Sequence, residues 1–414
     1  MTKQNKKIVI TGLGLVSAQG LSIKDFRAKE AGEPLPVSIK KEWEAEDIGP
    51  QFHYKTPPFD IKEIFPELRA PYPLRYSQLA MIGCKDAMED AGLMDFDYDA
   101  TRTGIVIDTA LGTIEAIERY LEKLETDGPR KVSPFLFSQT VSNVAVGYVA
   151  RQFGLRGPSS LLFCESSVAY GYDILKSGEA DIMICGGVDN IRDSVFGLYH
   201  HNDVLFQCLD VEEEHAPKYF TEALTSQQSK NKVAFGEDSA AYLVLETLDH
   251  ALSRGAVIYA ELVDYAAVQD DAFENFISER NVNDCALSME KVMQRCHKNP
   301  TDIQLVVGES SSPGMFDRVE GPAMRMLWED QAVHYTSMKP FIGETLNASA
   351  QASVAMAAEA LYTQRIKANP WLPYCSTHPA QPLSDTVDCQ TALVHTTQLG
   401  GNNTSFILQS YKQQ

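Results

Sequence analysis

Eight cysteines are the first residues that could do chemistry: Cys84, Cys164, Cys185, Cys208, Cys285, Cys296, Cys375 and Cys389. None forms a Cys-x-x-Cys pair, the spacing at which two thiolates share a zinc ion or a redox disulfide. Their scatter through apolar stretches predicts reduced, buried thiols and a cytoplasmic protein. Gly12-x-Gly14 lacks the third glycine and the later acidic residue of a dinucleotide fingerprint, so no nucleotide cofactor is expected. His200-His201 has no Cys or His at ligand spacing, and no metal is assigned. His395 stands alone in a strand-like run, where a histidine is usually packed and hydrogen-bonded. Glu212-Glu213-Glu214 reads as a solvated acidic face.

The elements that must position these groups lie in a chain of 414 residues with 36 Lys+Arg and 56 Asp+Glu, a net charge of −20. That balance speaks against nucleic acid and anionic membranes, which need basic surface, and favours basic partners. No apolar run approaches the roughly 18 residues that span a bilayer, so no membrane insertion is expected. The opening IVITGLGLVSAQG is too short and too broken by glycine for a signal segment. It reads as a strand turned by Gly12-Leu13-Gly14.

Residues 76–91, 114–125, 139–153 and 167–176 have helical spacing, with strands at 102–112, Ser159–Phe163, 181–187 and 239–246. A second round follows. A strand-like YAELVDYA leads to a helix at 284–296, a strand into a loop at 303–312, a helix at 347–366 and a terminal hairpin. Two similar rounds predict an α/β fold with buried sheets, divided as residues 1–250 and 251–414. Residues 205–232, rich in Glu, Lys, Gln and Ser, read as an exposed insertion.

Several segments, in order along nearly the whole chain, resemble the β-ketoacyl-acyl-carrier-protein synthase family. These include KKIVITGLGLVSAQG, RTGIVID, FGLRGPSS, SGEADIMICGGVDN, FGEDSAAYLVLE, SMKPFIGETLNASAQ and LGGNNTSFIL. The resemblance implies a thiolase-like fold, two similar halves stacked as a five-layer αβαβα sandwich. It also implies three reacting positions: a Cys at a strand-to-helix elbow that takes the acyl group, and two His that assist decarboxylation and condensation.

Each family position can be read here. The first histidine, in a His-Gly-Thr-x-Thr-Pro stretch, corresponds to Glu309 of Glu309-Ser310-Ser311-Ser312-Pro313, with Asp317 and Glu320 at the family's spacing. The second, in Lys-x-x-x-Gly-His, corresponds to Glu344, with Lys339 and Gly343 retained. A glutamate at either place opposes a developing enolate, which imidazole would stabilise by donating a hydrogen bond. At the elbow, Cys164 and Ser166 both remain candidates, because the stretch from Gly157-Pro158 to Gly178 is shorter than the family's. The aromatic gate of the last hairpin is absent, whereas Gly400, Gly401 and Asn403 remain.

The resemblance therefore points to a chain-length-factor-like subunit that pairs with an active ketosynthase in a type II polyketide system, such as one making aryl polyenes. Acyl carrier protein would engage mainly the partner. Leu136 and Phe137 would lie at the interface and reach the partner's acyl pocket, and Leu111 would line this chain's own vestigial pocket. Two rivals stand beside it: an active synthase using Cys164 or Ser166 with Glu309 or Glu344, and a non-catalytic module that binds acyl chains or carrier protein.

Overall fold

The computed structural model describes residues 6–29, 33, 35–41, 48–206, 208, 211–225, 232–271, 280–329, 331–375, 380–381 and 388–412. Its strands are β1 (Ile8–Val16), β2 (Val37–Lys40), β3 (Gln51–Tyr54), β4 (Thr103–Thr109), β5 (Ser159–Phe163), β6 (Ile182–Asn190), β7 (Phe235–Gly236), β8 (Asp238–Thr247), β9 (Ala260–Gln269), β10 (Leu305–Gly308), β11 (Val333–Ser337), β12 (Ala380–Gln381), β13 (Thr391–Gln398) and β14 (Asn402–Gln409).

Two sheets arise from them among the described residues. The large one runs β12-β11-β10-β13-β14-β9-β1-β8-β6-β4-β5, and the small one β2-β3-β7. Strands of the first round occupy one end of the large sheet and strands of the second round the other. They meet at the short antiparallel β1–β9 contact, where Ile8 faces Leu262 and Ile10 faces Ala260.

Five layers follow from the helices. The Arg75–Asp90 helix covers the outside of β1, β8 and β6, and the Val282–Arg295 helix covers β9 and β14. The Asn347–Thr363 helix lies between the halves, touching β13 and β10 on one side and β6 and β8 on the other. Its sequence, NASAQASVAMAAEALYT, is small and apolar all round, as a helix buried on every face requires, and nearly all of it is buried.

Close approach decides several glycines. A Cβ on Gly12 would meet the Ala87 carbonyl at 2.4 Å, and one on Gly14 the Gly83 carbonyl at 2.5 Å. These residues therefore do not turn the chain, as the sequence reading had them. β1 continues to Val16 with a bulge between Ile10 and Gly12, and the glycines let the Arg75–Asp90 helix lie directly on the strand. That helix repays the bulge: Asp90 accepts the Leu13 amide at 2.9 Å and Asp86 the Leu15 amide at 2.8 Å.

Other expectations change as well. The helix expected at 139–153 starts later, as Val144–Phe153, and a separate short helix, Pro134–Gln139, precedes it. The short helix is started by the Ser133 side chain and Pro134 and stops at Thr140. Cys84, Cys185, Cys208, Cys285 and Cys389 are buried, but Cys164, Cys296 and Cys375 are half-buried. β5 is a strand but not a buried one. It pairs with β4 alone at the end of the sheet, and both Ser159 and Phe163 are exposed.

The segment read as an exposed insertion is also corrected. Its acidic run, 212–214, is indeed solvated, but Phe206, Cys208, Ala216, Phe220 and Leu224 are buried with Val37, Ile39, Phe52 and Tyr54. The Phe220 ring lies 5.3 Å from that of Phe52 and 5.4 Å from that of Phe206. The polar composition hid an amphipathic helix, Ala216–Thr225, that closes a small cap over β2, β3 and β7.

The central helix depends on Gly187. A Cβ there would meet the Asn347 carbonyl at 2.5 Å. Gly187→Ala should destabilise the protein by about 1–3 kcal/mol in urea denaturation, as overpacking does. An unchanged midpoint would mean that the helix and β6 are not rigidly apposed.

Candidate functional site

β10 ends inside the protein, between β11 and β13, and delivers Glu309 to the interior. Glu320 fastens the turn that follows. Its carboxylate accepts the amides of Glu309 (2.9 Å) and Ser310 (2.8 Å) and the Tyr335 hydroxyl (2.7 Å). Asp317, expected beside it, is half-buried on the short Pro313–Arg318 helix.

β11 leads to a second short helix, Lys339–Ile342, ended by Gly343 at φ +80°. Here the two sequence positions meet. The Lys339 ammonium lies 2.9 Å from Glu309 Oε2 and 2.6 Å from Glu344 Oε2. All three side chains are at most 4% exposed. The Ser353 hydroxyl, on the central helix, donates to Glu309 Oε1 at 2.9 Å, and the Leu346 amide donates to Glu344 Oε1 at 2.9 Å. Burial pushes Glu309 up to about 7; Lys339 opposes this and Glu344 adds to it. Burial also works against the Lys339 charge, but the two carboxylates outweigh it and raise the ammonium's pKa.

Arg280 completes the surroundings. Its side chain is 6% exposed, donates from Nη2 to the Gln398 carbonyl, and lies 3.7 Å from Asp270. Arg280, Glu309, Lys339, Glu344, Gln398 and Leu399 line a cavity of about 30 Å³. That is room for water-sized groups.

The elbow lies on the other side of Gln398. Cys164 follows β5 in the left-handed region, φ +53°, and its amide donates to the Thr109 carbonyl at 3.1 Å. It is half-buried, not the fully buried residue the sequence suggested. Ser166 starts the Ser167–Ser177 helix, its hydroxyl accepting the Ala169 amide at 3.2 Å. Cys164 thus occupies the sharp turn, and Ser166 the helix cap. Burial pushes the Cys164 thiol up to about 12, and Asp108 and Asp189 push the same way.

Those two aspartates were missed in the sequence. Burial lifts Asp108 well above the carboxylate range even though it accepts from Asn347 and Gln398. Burial raises Asp189 to about 6 against donors that include the amides of Ala110 (3.0 Å) and Leu111 (2.9 Å). The available signal was an acid at the end of each of two wholly apolar strands, in VIDT and GGVDN. Arg280 carried no such signal.

Leu111 does not line the small cavity. Asp189 holds its amide, and its side chain packs with Ile191, Val195, Leu346 and Leu399. Leu136 is buried, and Phe137 is 57% exposed with its ring 5.7 Å from that of Tyr120. His395 is buried and packed, as the sequence reading has it. Its Nε2 is 3.1 Å from the Cys285 sulfur and its Nδ1 is 3.0 Å from the Ser405 hydroxyl, and burial lowers its pKa to about 4.

Comparison with known proteins places this geometry. The family model "Beta-ketoacyl synthase, N-terminal domain" matches residues 5–207, and "Beta-ketoacyl synthase, C-terminal domain" matches residues 259–371. The chain belongs to the β-ketoacyl synthase family. It is 25% identical over 423 residues to 3-oxoacyl-[acyl-carrier-protein] synthase 2 of Staphylococcus aureus strain N315, covering 99% of each chain. It is 26% identical over 377 residues to the enzyme of the same name from Vibrio harveyi, covering 87% of this chain and 86% of that one.

Among solved structures, the ishigamide ketosynthase/chain length factor superposes with a TM-score of 0.81 at 21% identity, covering 99% of this chain and 100% of that one. A ketosynthase structure bound to the hexaketide, in complex with a type II PKS acyl-carrier protein, superposes at 0.79, also at 21% identity, with coverage of 99% and 100%. These neighbours share the thiolase-like ketosynthase fold. Among the described residues of this family member, no helix is long and apolar enough to cross a membrane.

The ionisation of Glu309 has a sign that can be measured. Its pKa rises from the ordinary 4.5 to about 7 on folding. Its contribution to stability is therefore full below pH 4.5 and is lost as pH rises through 7, a change of roughly 3 kcal/mol. Denaturant unfolding at pH 5 and pH 8 should show Glu309→Gln losing less stability with pH than the parent. Identical losses would mean that Glu309 is ionised throughout.

Proposed function

We propose that this chain is a chain-length-factor-like subunit, impaired in condensation, that pairs with an active ketosynthase and shapes its acyl pocket. The observation that carries the reading is Lys339 held between Glu309 and Glu344. A condensing site must offer hydrogen-bond donors to a developing enolate. Here the two family histidine positions are acceptors, and their ion pairs occupy the nearby ammonium. The cavity beside them, about 30 Å³, is too small for an acyl chain. The elbow adds to this: a thiolate at Cys164 would form beside Asp108 and Asp189, whereas reactive cysteines sit in electropositive surroundings.

Pairing is supported by the exposed end of the large sheet. Among the described residues β5 is hydrogen-bonded on one edge only, and such an edge is a template for another strand. Phe163 at its end is 53% exposed, and Phe137, Val141, Ile117 and Leu121 are exposed as well. The Ile114–Asp127 helix buries only Glu115 and Ala116 of its own residues, leaving that apolar set uncovered. The solved neighbour named as a ketosynthase/chain length factor fits this reading. Acyl carrier protein, generally acidic, would be repelled at long range by a chain of charge −20 and engage mainly the partner. An aryl polyene system is the setting we favour.

Two outcomes are expected. Incubated alone with acyl- and malonyl-carrier proteins, the chain should give no multiple turnover by mass spectrometry. Sustained ketoacyl product would instead favour an active synthase built on Cys164 and Glu309. In the complex with an active ketosynthase, Phe137→Ala should lengthen the products and Phe137→Trp should shorten them, with the dimer intact. Unchanged lengths in both variants would assign Phe137 to packing at the interface.

A further inference from the structure

Residues 339–346 form a strap that faces two ways. The Lys339, Ile342 and Glu344 side chains point into the body of the protein, where Lys339 meets Glu309 and Glu344. Its backbone faces the cap. The Glu344 amide donates to the Ala234 carbonyl at 2.8 Å, and the Gly236 amide donates to the Glu344 carbonyl at 3.0 Å. Glu344 thus forms a parallel bridge with Phe235 of β7. The Tyr54 hydroxyl of β3 donates to the Pro340 carbonyl at 2.7 Å, and Phe341 packs against the cap's apolar core. Gly343 marks how tight this joint is: a Cβ there would meet Tyr54 Cδ2 at 2.6 Å and the Ala234 carbonyl at 2.9 Å.

Glu344 therefore belongs to both structures at once, by its carboxylate to the buried charge cluster and by its backbone to the cap. We infer that the Lys339–Glu344 pair is a latch that holds the cap, formed by β2, β3, β7 and the Ala216–Thr225 helix, closed on the ketosynthase body. Lifting the cap breaks the two backbone bonds to Glu344. While Lys339 and the Leu346 amide hold both carboxylate oxygens, the residue is kept in register for β7. Pulling it free would strand an ammonium and a carboxylate away from water, at high cost. Without Lys339, burial and Glu344 would push Glu309 further up, and Glu344 would lose the ammonium that holds its carboxylate in place. Glu309 has a different place. It sits at the end of β10 and is tied to Ser353 of the central helix, and it meets the strap at Lys339, whose backbone bonds to Gly343 and Ser337 rather than to the cap.

The cap's sheet is small, with β2 and β3 of 4 residues each and β7 of 2, and so small a unit loosens once released. Two measurements report that release. Hydrogen exchange of the Gly236 and Glu344 amides reads the joint itself. Native-state alkylation reads the cap interior at Cys208, 2% exposed, against Cys285, 0% exposed in the body, which reports global unfolding.

Lys339→Met and Glu344→Gln should speed exchange at the joint and alkylation of Cys208 by about tenfold or more, the least that loss of a buried pair implies, with Cys285 still slow. Glu309→Gln should leave both near the parent rates. Glu344→Gln keeps the side chain's volume and the oxygen that accepts the Leu346 amide, so it decides the matter where Lys339→Met does not fold. Equal acceleration by Glu309→Gln, Cys208 and Cys285 rising in step, or no acceleration at all would each overturn the latch.

Discussion

An ammonium in a protein interior has to be matched by negative charge close by, because burial takes away the water that would otherwise stabilise it. Lys339 is matched twice, by Glu309 and Glu344, and much of the arrangement around it follows from that requirement. Glu309 must leave β10 at one angle, and Glu320 fixes that angle by taking the two amides of the turn. Glu344 must face inward, so the strap has to turn at Gly343, where φ is +80°. The central helix must approach closely enough for Ser353 to reach Glu309, which the absence of a side chain on Gly187 permits.

The same charges carry our proposal that the family's architecture persists here without the family's chemistry. A condensing site needs a nucleophile in a positive environment and donors aimed at an anion. In this chain the elbow is surrounded by Asp108 and Asp189, and the two histidine positions carry acceptors already satisfied by Lys339. The positions are kept while their polarity is inverted. Here the interior is a cross-linked polar core, with a cavity of about 30 Å³ beside it.

If the interior is closed, the surface must carry what the protein does. Among the described residues β5 ends the large sheet with one edge unpaired, and the Ile114–Asp127 helix leaves Ile117 and Leu121 exposed. Soluble proteins rarely leave such an edge bare. A partner that pairs with β5 would cover both features at once, and it would bring Phe137 of this chain against its own surface.

The sequence alone determined the order and type of most elements, since alternating apolar patterns of period 2 and 3.6 are local properties. The strands at 239–246 and the terminal hairpin, and the helices at 76–91 and 284–296, stand close to where they were read. It also determined which residue types occupy Glu309, Glu344 and Lys339, through a pattern that survives in linear order. What it left undecided depends on contacts between distant segments. The apolar run Ser159–Phe163 reads as buried, and only its place at the end of the sheet exposes it. Gly12 and Gly14 read as a turn until a helix more than sixty residues further along the chain is laid on them. Residues 205–232 read as exposed because their apolar partners lie near 37–54 and 234. Arg280, Asp108 and Asp189 join the site from three separate stretches of chain. Tertiary structure alone made the two glutamates a pair: nothing local sets a charge 30 residues away within 2.9 Å of an ammonium, and the free energy of burying that ammonium does.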